Sequence, residues 1–235
     1  MLPFSSTHSL AVVIGASGGI GAAVCAQLLA NSPFTRVIGL SRSTVPALDL
    51  LDEASIQASA QHIASLELPV RLVLDATGVL HHHGLQPEKS WQQLDAAHMA
   101  QAFAINAIGP ALLMKHFLPL LPKNGKAVFA SLSAKVGSIG DNRLGGWYSY
   151  RASKAALNQL VHTAAIELQR RAPESICVVL HPGTVATDLS LPFAKTGLEV
   201  QTPAQAANRL LDVIDGLTAK NSGGFFNHDG SELPW

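Results

Sequence analysis

Short runs of consecutive apolar residues alternate with longer segments in which apolar residues recur every three or four positions. Runs of the first kind are typical of strands buried on both faces, and segments of the second kind are typical of amphipathic helices. The runs predict strands at 9–14, 36–40, 70–75, 125–132, 176–181 and 223–227, with a further short strand near 45–48. The segments predict helices at 20–31, 52–66, 95–121, 148–171 and 203–219, the third kinked or ended near Pro110 or Pro119.

This alternation predicts an α/β fold: one domain over residues 1–235, built on a doubly wound parallel sheet with helices on both faces. In such folds a ligand binds beyond the carboxyl ends of the strands, where the strand order reverses. Several polar or glycine-rich segments follow predicted strands, so we expect them to converge at that edge. They are the glycine turn 15–21, the turn 75–78, Ser133 and His181-Pro182-Gly183.

Composition narrows the class of protein. The chain has 235 residues, 48% hydrophobic and 14% charged, with a formal net charge of zero and scattered lysines and arginines. This excludes the electrostatic footprint of a nucleic-acid or anionic-membrane binder. No basic region precedes the first apolar run, so we expect no secretory signal. We also expect that no apolar stretch reaches the length needed to span a membrane, because Lys115 interrupts the most apolar helix. Cys25 and Cys177 indicate reduced core thiols, and we expect a cytoplasmic protein.

A glycine turn joins the first predicted strand to the first helix, with the sequence Gly15-Ala-Ser-Gly-Gly-Ile-Gly21. Glycines allow a tight turn and let backbone amides at a helix N-terminus approach a pyrophosphate. The turn therefore predicts a dinucleotide site, with an ordinary strand-to-helix turn as the alternative. Its spacing differs from Gly-x-Gly-x-x-Gly.

Tyr150 and Lys154 are four residues apart at the start of a predicted helix, so they share one helix face. A nearby ammonium favours the phenolate and would lower the pKa of the tyrosine. A tyrosine adjusted in this way can act as a general acid or base. Tyr148 is a rival, but it lies six residues before Lys154 and shares its face less well.

These residues belong to an ordered set by which the chain resembles the short-chain dehydrogenase/reductase family over nearly its whole length. The set is Gly15–Gly21, Asp49-Leu-Leu-Asp52, Asp75-Ala-Thr-Gly78, Asn106, Ser133, Tyr150-x-x-x-Lys154 and Pro182-Gly-Thr-Val-Ala-Thr187. Segments 136–154 and 222–235 resemble the C-factor-like branch. The resemblance implies a Rossmann-type domain that interconverts a small carbonyl compound and its alcohol with NAD(P). It also implies a homodimer or homotetramer joined by the helices near Asn106 and Lys154. Because the C-factor-like branch is linked to cell–cell signalling, the alternative is a dinucleotide-binding signalling or regulatory protein.

The resemblance assigns four catalytic residues. Tyr150 would exchange a proton with the substrate oxygen, and Lys154 would bind the nicotinamide ribose. Ser133 would hydrogen-bond the substrate oxygen, and Asn106 would hold a water that connects Lys154 to solvent. Ser131 is a rival for Ser133, because the two share a strand face and the family's usual Ser-Ser pair is here Ser-Leu-Ser. We favour Ser133.

Cofactor preference depends on the end of the second predicted strand, where Ser41-Arg42 stands in place of the acid of NAD-specific proteins. A guanidinium can pair with a 2′-phosphate, and Ser17 could add a hydroxyl, so we predict NADP(H), with NAD(H) as the alternative. A solvated Arg42 is the competing interpretation. The expected cofactor contacts are Gly15, Ser17, Gly19, Ile20, Gly21, Ser41, Arg42, Asp49, Leu50, Ala76, Thr77, Gly78, Tyr150, Lys154, Pro182, Gly183, Val185 and Thr187.

The sequence departs from the family pattern at two places, and each departure predicts a local difference in structure. The usual Asn-Asn-Ala-Gly turn is Asp75-Ala-Thr-Gly78, so an asparagine that buttresses the sheet is missing. Only a few residues separate Arg42 from Asp49, so the helix that normally joins the second strand to the short third strand near 45–48 should be largely absent, which would open the adenine pocket.

The remaining expectations concern the substrate side. His81-His82-His83 are consecutive loop residues without an acid or cysteine cluster, so we expect no metal site. The resemblance places this loop and segments 137–147 and 190–200 around the substrate. Apolar residues there predict an apolar pocket, and Gly197 predicts a mobile lid. These apolar residues are Leu144, Trp147, Leu191 and Phe193.

Overall fold

The computed structural model describes residues 8–31, 34–81, 86–190 and 200–235. Its strands are β1 (Leu10–Ile14), β2 (Arg36–Leu40), β3 (Val70–Asp75), β4 (Ala127–Leu132), β5 (Ser175–His181), β6 (Thr184–Val185), β7 (Val200–Gln201) and β8 (Phe225–Asn227). Six of them form a parallel sheet in the order β2-β1-β3-β4-β5-β8, and β6 pairs with β7 in parallel. The predicted parallel sheet is confirmed, and its order reverses between β1 and β3.

The helices are α1 (Gly19–Asn31), α2 (Glu53–Ala64), α3 (Ala96–Phe103), α4 (Gly109–Phe117), α5 (Tyr148–Arg171) and α6 (Pro203–Gly216). They cover both faces of the sheet because successive strand residues point to opposite sides. Val12 and Phe129 belong to the core beneath α2, α4 and α5, whereas Val13 and Leu74 belong to the core beneath α1 and α6. The doubly wound architecture is therefore confirmed.

The strand predicted near 45–48 does not form. Residues 41–52 run as a loop in which the Leu48 amide donates to the Ser41 carbonyl at 2.9 Å, and the Leu48 side chain is buried as a single anchor. Pro46 interrupts the short apolar run, and a proline cannot donate to a sheet ladder. The helix expected to be missing between Arg42 and Asp49 is absent, since α2 begins only at Glu53. Because no strand forms at 45–48, β2 is an edge of the sheet.

The helix predicted at 95–121 is divided. A π-helical turn, Ala104–Ile108, separates α3 from α4, and a 3₁₀ turn, Leu118–Leu120, ends the run at Pro119. Pro110 follows the π-helical turn directly, at the second residue of α4, so the change in helix type falls where a proline cannot donate a backbone hydrogen bond. Among the described residues, the continuous run Ala96–Leu120 is long and apolar enough to cross a membrane by length and composition alone. The expectation that no stretch reaches that length was therefore wrong, but Leu113 and Phe117 show that its apolar face is packed in the domain core.

Candidate active site

The glycine turn lies directly against the end of β3. Gly15 has a left-handed φ of +82°, and a Cβ added to it would lie 3.0 Å from the Ala76 carbonyl oxygen and 3.2 Å from Thr77 Cγ2. A Cβ on Gly21 would overlap the Gly15 carbonyl oxygen, so the first turn of α1 can fold onto the loop only without a side chain there. The structure thus brings the ends of β1 and β3 together at the predicted switch point.

Thr187 approaches the same turn from the far side of the cleft. A Cβ added to Gly19 would lie 2.8 Å from Thr187 Cγ2. Ser17 and Gly19 are exposed in the turn, and Ile20 is partly buried behind them. Open backbone amides at the N-terminus of α1 and a threonine beside them fit a bound dinucleotide phosphate.

Lys154 extends from α5 toward the ends of β3 and β4. Its side chain is 3% exposed, and its amine donates to the Leu132 carbonyl at 2.9 Å. A Cβ added to Gly78 would lie 3.3 Å from Lys154 Nζ, so the lysine reaches the end of the β3 turn. Burial lowers the pKa of Lys154 to about 8, and the negative charge of Asp75 opposes that shift.

Asn106 lies in the π-helical turn and is fully buried. Its Oδ1 accepts from the Val79 amide at 2.8 Å, and its Nδ2 donates to the Val79 carbonyl at 2.8 Å and to Ser153 Oγ at 3.1 Å. The side chain thus ties the loop after β3 to α5. Because both N–H bonds have protein partners, the water relay predicted for Asn106 stays a prediction.

Tyr150 is the third residue of α5 and shares its face with Lys154, as expected from the spacing. Its ring packs edge-on against Trp147, with centroids 6.2 Å apart. Burial raises the pKa of Tyr150, so the predicted lowering by the lysine was wrong for this structure. Removing the phenol from water disfavours the phenolate, and the lysine amine is bound to the Leu132 carbonyl.

The two rival serines have different partners. Ser131 is fully buried and donates to Asp75 Oδ2 at 2.8 Å, joining β4 to β3 at paired positions. Asp75 therefore buttresses the sheet in place of the missing asparagine. Ser133 follows the end of β4, and its hydroxyl donates to Asn158 Oδ1 at 2.6 Å. Sequence reasoning missed Asn158, although its position four residues after Lys154 was a usable signal.

The segment expected to bind the adenosine half lies after β2. Arg42 is exposed, and the turn around it is fixed by Thr44 Oγ1, which accepts from the Ser41 amide at 3.0 Å. Leu50 packs against Gly109 of α4, where an added Cβ would lie 2.8 Å from Leu50 Cβ. The Asp49 carboxylate accepts from the Leu51 amide at 3.0 Å. The loop thus leaves the Arg42 guanidinium open to a ligand.

The substrate side is only partly described. His82, His83, Leu191, Phe193 and Gly197 lie outside the described residues, so the predicted pocket and lid are not tested there. Leu144 is 86% exposed and does not close an apolar pocket. Ring nitrogen Nε2 of His81 lies 3.1 Å from the Asp188 carbonyl oxygen, across the cleft. Within the described ranges, no group of three or more His, Cys, Asp or Glu side chains could hold a metal ion.

The remaining predicted contacts follow β5. Pro182 and Gly183 form the turn between β5 and β6, and Gly183 has a left-handed φ of +76°. Ser190 Oγ donates to the Val185 carbonyl and accepts from the Thr187 amide at 3.3 Å. This compact turn is what holds Thr187 against Gly19.

Glu88 is a residue that sequence reasoning missed. It is 2% exposed and lies at the N-terminus of α5, where Trp147 offers no side-chain cap. Its Oε2 accepts from the Ser149 amide at 3.2 Å, its Oε1 accepts from Ser149 Oγ, and His98 Nδ1 lies 3.6 Å from Oε1. The carboxylate thus satisfies the Ser149 amide at the helix end that carries Tyr150.

Replacing Glu88 by glutamine should destabilise the fold. The amide keeps the shape but loses the charge at the helix N-terminus and leaves buried donors poorly paired, so we expect a loss of about 1–3 kcal/mol. Urea unfolding measures the change. Glu53→Gln is the control, because Glu53 pairs with Lys115 at the surface and its loss should change stability little. Equal stability of Glu88→Gln and the wild type would contradict this capping role.

Comparison with known proteins identifies the chain. The family model described as short chain dehydrogenase matches residues 9–196. The chain belongs to the short-chain dehydrogenase family. It is therefore an oxidoreductase with a nicotinamide dinucleotide cofactor.

Two relatives are informative. C-signal of Myxococcus xanthus is 40% identical over 144 residues, which cover 60% of this chain and 81% of the relative. The 1-hydroxy-2-glutathionyl-2-methyl-3-butene dehydrogenase of Rhodococcus sp. (strain AD45) is 32% identical over 97% of this chain and 100% of the relative. The first matches the predicted C-factor-like branch, and the second is a dehydrogenase that aligns with this chain over its whole length.

Solved structures agree on the fold. The NADPH-bound carbonyl reductase from chicken fatty liver has a TM-score of 0.84 at 27% identity and covers 97% of this chain and 99% of that chain. The carbonyl reductase Sniffer of D. melanogaster has a TM-score of 0.83 at 22% identity, with the same coverage. The second likeness supports the fold alone.

Proposed function

We propose that this short-chain dehydrogenase reduces a small aldehyde or ketone with NADPH, or oxidises the corresponding alcohol with NADP⁺. The observation that carries the proposal is the close approach of successive segments along the cleft. A Cβ added to Gly15 would lie within 3.2 Å of Ala76 and Thr77, and a Cβ added to Gly78 would lie 3.3 Å from Lys154 Nζ. A dinucleotide placed along this line would have its phosphates at the turn and its nicotinamide beside α5.

The chain's own residues would divide the remaining work. The cofactor supplies the hydride when bound. Backbone amides at Gly19 and Ile20 would face the pyrophosphate, while Lys154 and Thr187 would hold the nicotinamide half. Ser133 would donate to the substrate oxygen as negative charge develops on it.

Tyr150 would supply the proton. Because burial raises the pKa of Tyr150, its hydroxyl keeps its proton at neutral pH and can act as a general acid toward the carbonyl oxygen. The phenolate left behind would be stabilised by the nearby Lys154 ammonium. With its pKa at about 8, Lys154 carries that charge at neutral pH and loses it as the pH rises through that value.

Preference for NADP(H) would come from Arg42. Replacing Arg42 by alanine should weaken NADPH binding by about 10- to 100-fold, the value of a charge-assisted pair with the 2′-phosphate. NADH binding should not change. Fluorescence titration of the purified protein with each nucleotide measures both.

Arg36→Ala is the matched control for Arg42. Arg36 is exposed at the start of β2, whereas Arg42 follows the other end of that strand, so the loss of Arg36 should leave both affinities unchanged. Equal affinity of the wild type for NADPH and NADH would contradict the role of Arg42 while leaving the fold and the enzyme class intact.

A second candidate is a signalling or regulatory role that depends on dinucleotide binding. The likeness to C-signal favours it, at 40% identity over 60% of the chain. A purely binding role would not need a tyrosine on the same helix face as a buried lysine, so a Tyr150 variant separates the two candidates.

We also propose a homodimer or homotetramer in the cytoplasm. Support for self-association comes from apolar side chains on the outer faces of the α3–α4 run and of α5, where Ile108 is 54% exposed and Ile166 is 48% exposed. Two copies could bury these side chains against each other.

A further inference from the structure

Asn158 lies on the same face of α5 as Tyr150 and Lys154, because each is four residues from the next. Its side chain is 2% exposed. Its Oδ1 accepts the hydroxyl proton of Ser133 at 2.6 Å, and its Nδ2 is buried without a hydrogen-bond partner in the structure as described. Within the described residues, the side-chain amide of Asn158 therefore makes one hydrogen bond, the one to Ser133.

This arrangement is costly if its purpose is packing. A buried donor without a partner destabilises the folded state, whereas an apolar side chain of similar volume would fill the space without that penalty. Neighbouring positions on the same helix show the alternative, since Leu157 and Val161 are apolar and fully buried. The amide at position 158 therefore has to be explained through Ser133.

The direction of the hydrogen bond raises a second point. A serine hydroxyl has one proton, and Ser133 can stabilise a developing oxyanion only by giving that proton to the substrate. In the arrangement seen here the proton goes to Asn158 Oδ1. A half-turn of the amide exchanges Oδ1 and Nδ2 at almost no change in shape. Nδ2 would then donate to Ser133 Oγ, and the serine proton would be free for the substrate oxygen.

We propose that Asn158 is a positioning residue for Ser133, and that its amide turns so that Nδ2 donates to Ser133 Oγ while Ser133 donates to the substrate oxygen. The inference rests on the proposed function, in which Ser133 contacts the substrate. This role explains both the short hydrogen bond from Ser133 to Asn158 Oδ1 and the presence of a buried Nδ2 donor without a partner.

The test replaces the amide by groups with different hydrogen-bonding capacity. In Asn158→Asp an ionised carboxylate can only accept, so it retains the Ser133 proton. We expect kcat for carbonyl reduction to fall by about 100-fold, as for loss of an oxyanion-stabilising donor. Asn158→Leu fills the volume without any polar atom. The serine then loses its orientation, and kcat should fall by about 10-fold.

Two further readouts distinguish positioning from a structural role. NADPH affinity of Asn158→Leu should equal that of the wild type. Its thermal unfolding midpoint should not fall, because removal of the unpaired buried donor offsets the lost hydrogen bond to Ser133. In a double-mutant cycle, either Asn158 substitution should cost nothing more once Ser133 is alanine. Gln159→Leu is the control, because Gln159 is exposed and bonded to Thr163, and its kcat should not change.

The outcomes separate this inference from the proposed function. Wild-type kcat in Asn158→Leu, or a full additional loss of kcat in the Ser133→Ala background, would overturn the positioning role. Wild-type kcat in Ser133→Ala would show that Ser133 itself takes no part, which refutes the serine role in the proposed function and this inference with it. If Asn158→Asp does not fold, Asn158→Leu alone decides.

Discussion

Replacing Tyr150 by phenylalanine should lower kcat for carbonyl reduction by about 1000-fold, within the range measured for general acids. The substitution removes the proton donor and keeps the ring that packs against Trp147. NADPH affinity should stay at the wild-type value, because the glycine turn and Lys154 are untouched. Stopped-flow measurement of NADPH consumption gives kcat, and fluorescence titration gives the affinity.

The chain contains a natural control for this experiment. Its only other tyrosine, Tyr148, lies two residues earlier on the same helix. Tyr148→Phe should leave kcat unchanged, which would also decide between the two rival tyrosines. A Tyr150→Phe variant that turns over at the wild-type rate would contradict the acid assignment and favour the signalling candidate.

Replacing Gly21 by alanine should distort the cofactor site and weaken NADPH binding. The new Cβ would overlap the Gly15 carbonyl oxygen and lie 2.8 Å from the Gly15 carbonyl carbon, and these backbone atoms cannot turn aside as a side chain can. We expect NADPH binding to weaken by about 100-fold, equivalent to ~2.7 kcal/mol, and the fold to lose about 1–3 kcal/mol. Titration with NADPH and urea unfolding measure the two effects.

Gly216→Ala is the matched control for Gly21→Ala. Gly216 ends α6, and a Cβ there would meet no heavy atom within 4 Å. Its replacement should leave NADPH affinity unchanged and stability equal or slightly higher, since alanine favours helix. If Gly21→Ala binds NADPH as the wild type does, the turn is not the phosphate site.

Most of the fold could be predicted from local pattern. The bounds of β2, β3 and α5 agree with the sequence prediction residue for residue. Thr202 caps α6 with a capping box to Gln205, a signal that the sequence carries directly. The loop at 45–48 was missed because a short apolar run is ambiguous, and Leu48 is buried through a loop rather than a strand.

The site was predicted less completely, for physical reasons. Motif residues such as Tyr150 and Lys154 can be recognised because they lie at a short, fixed spacing along the sequence. Glu88 lies outside any motif. It contacts Ser149, which is 61 residues away in sequence, and no local sequence pattern predicts that contact. The pKa of Tyr150 was also beyond the sequence, because its direction depends on how far burial outweighs a charge four residues away.

The most direct test of carbonyl reduction by this protein supplies it with NADPH deuterated at the transferable position, together with a panel of aldehydes and ketones. We expect loss of NADPH matched by an alcohol that carries deuterium on the former carbonyl carbon. Tight binding of NADPH with no turnover of any carbonyl compound, and no reverse reaction with the corresponding alcohols and NADP⁺, would contradict this expectation.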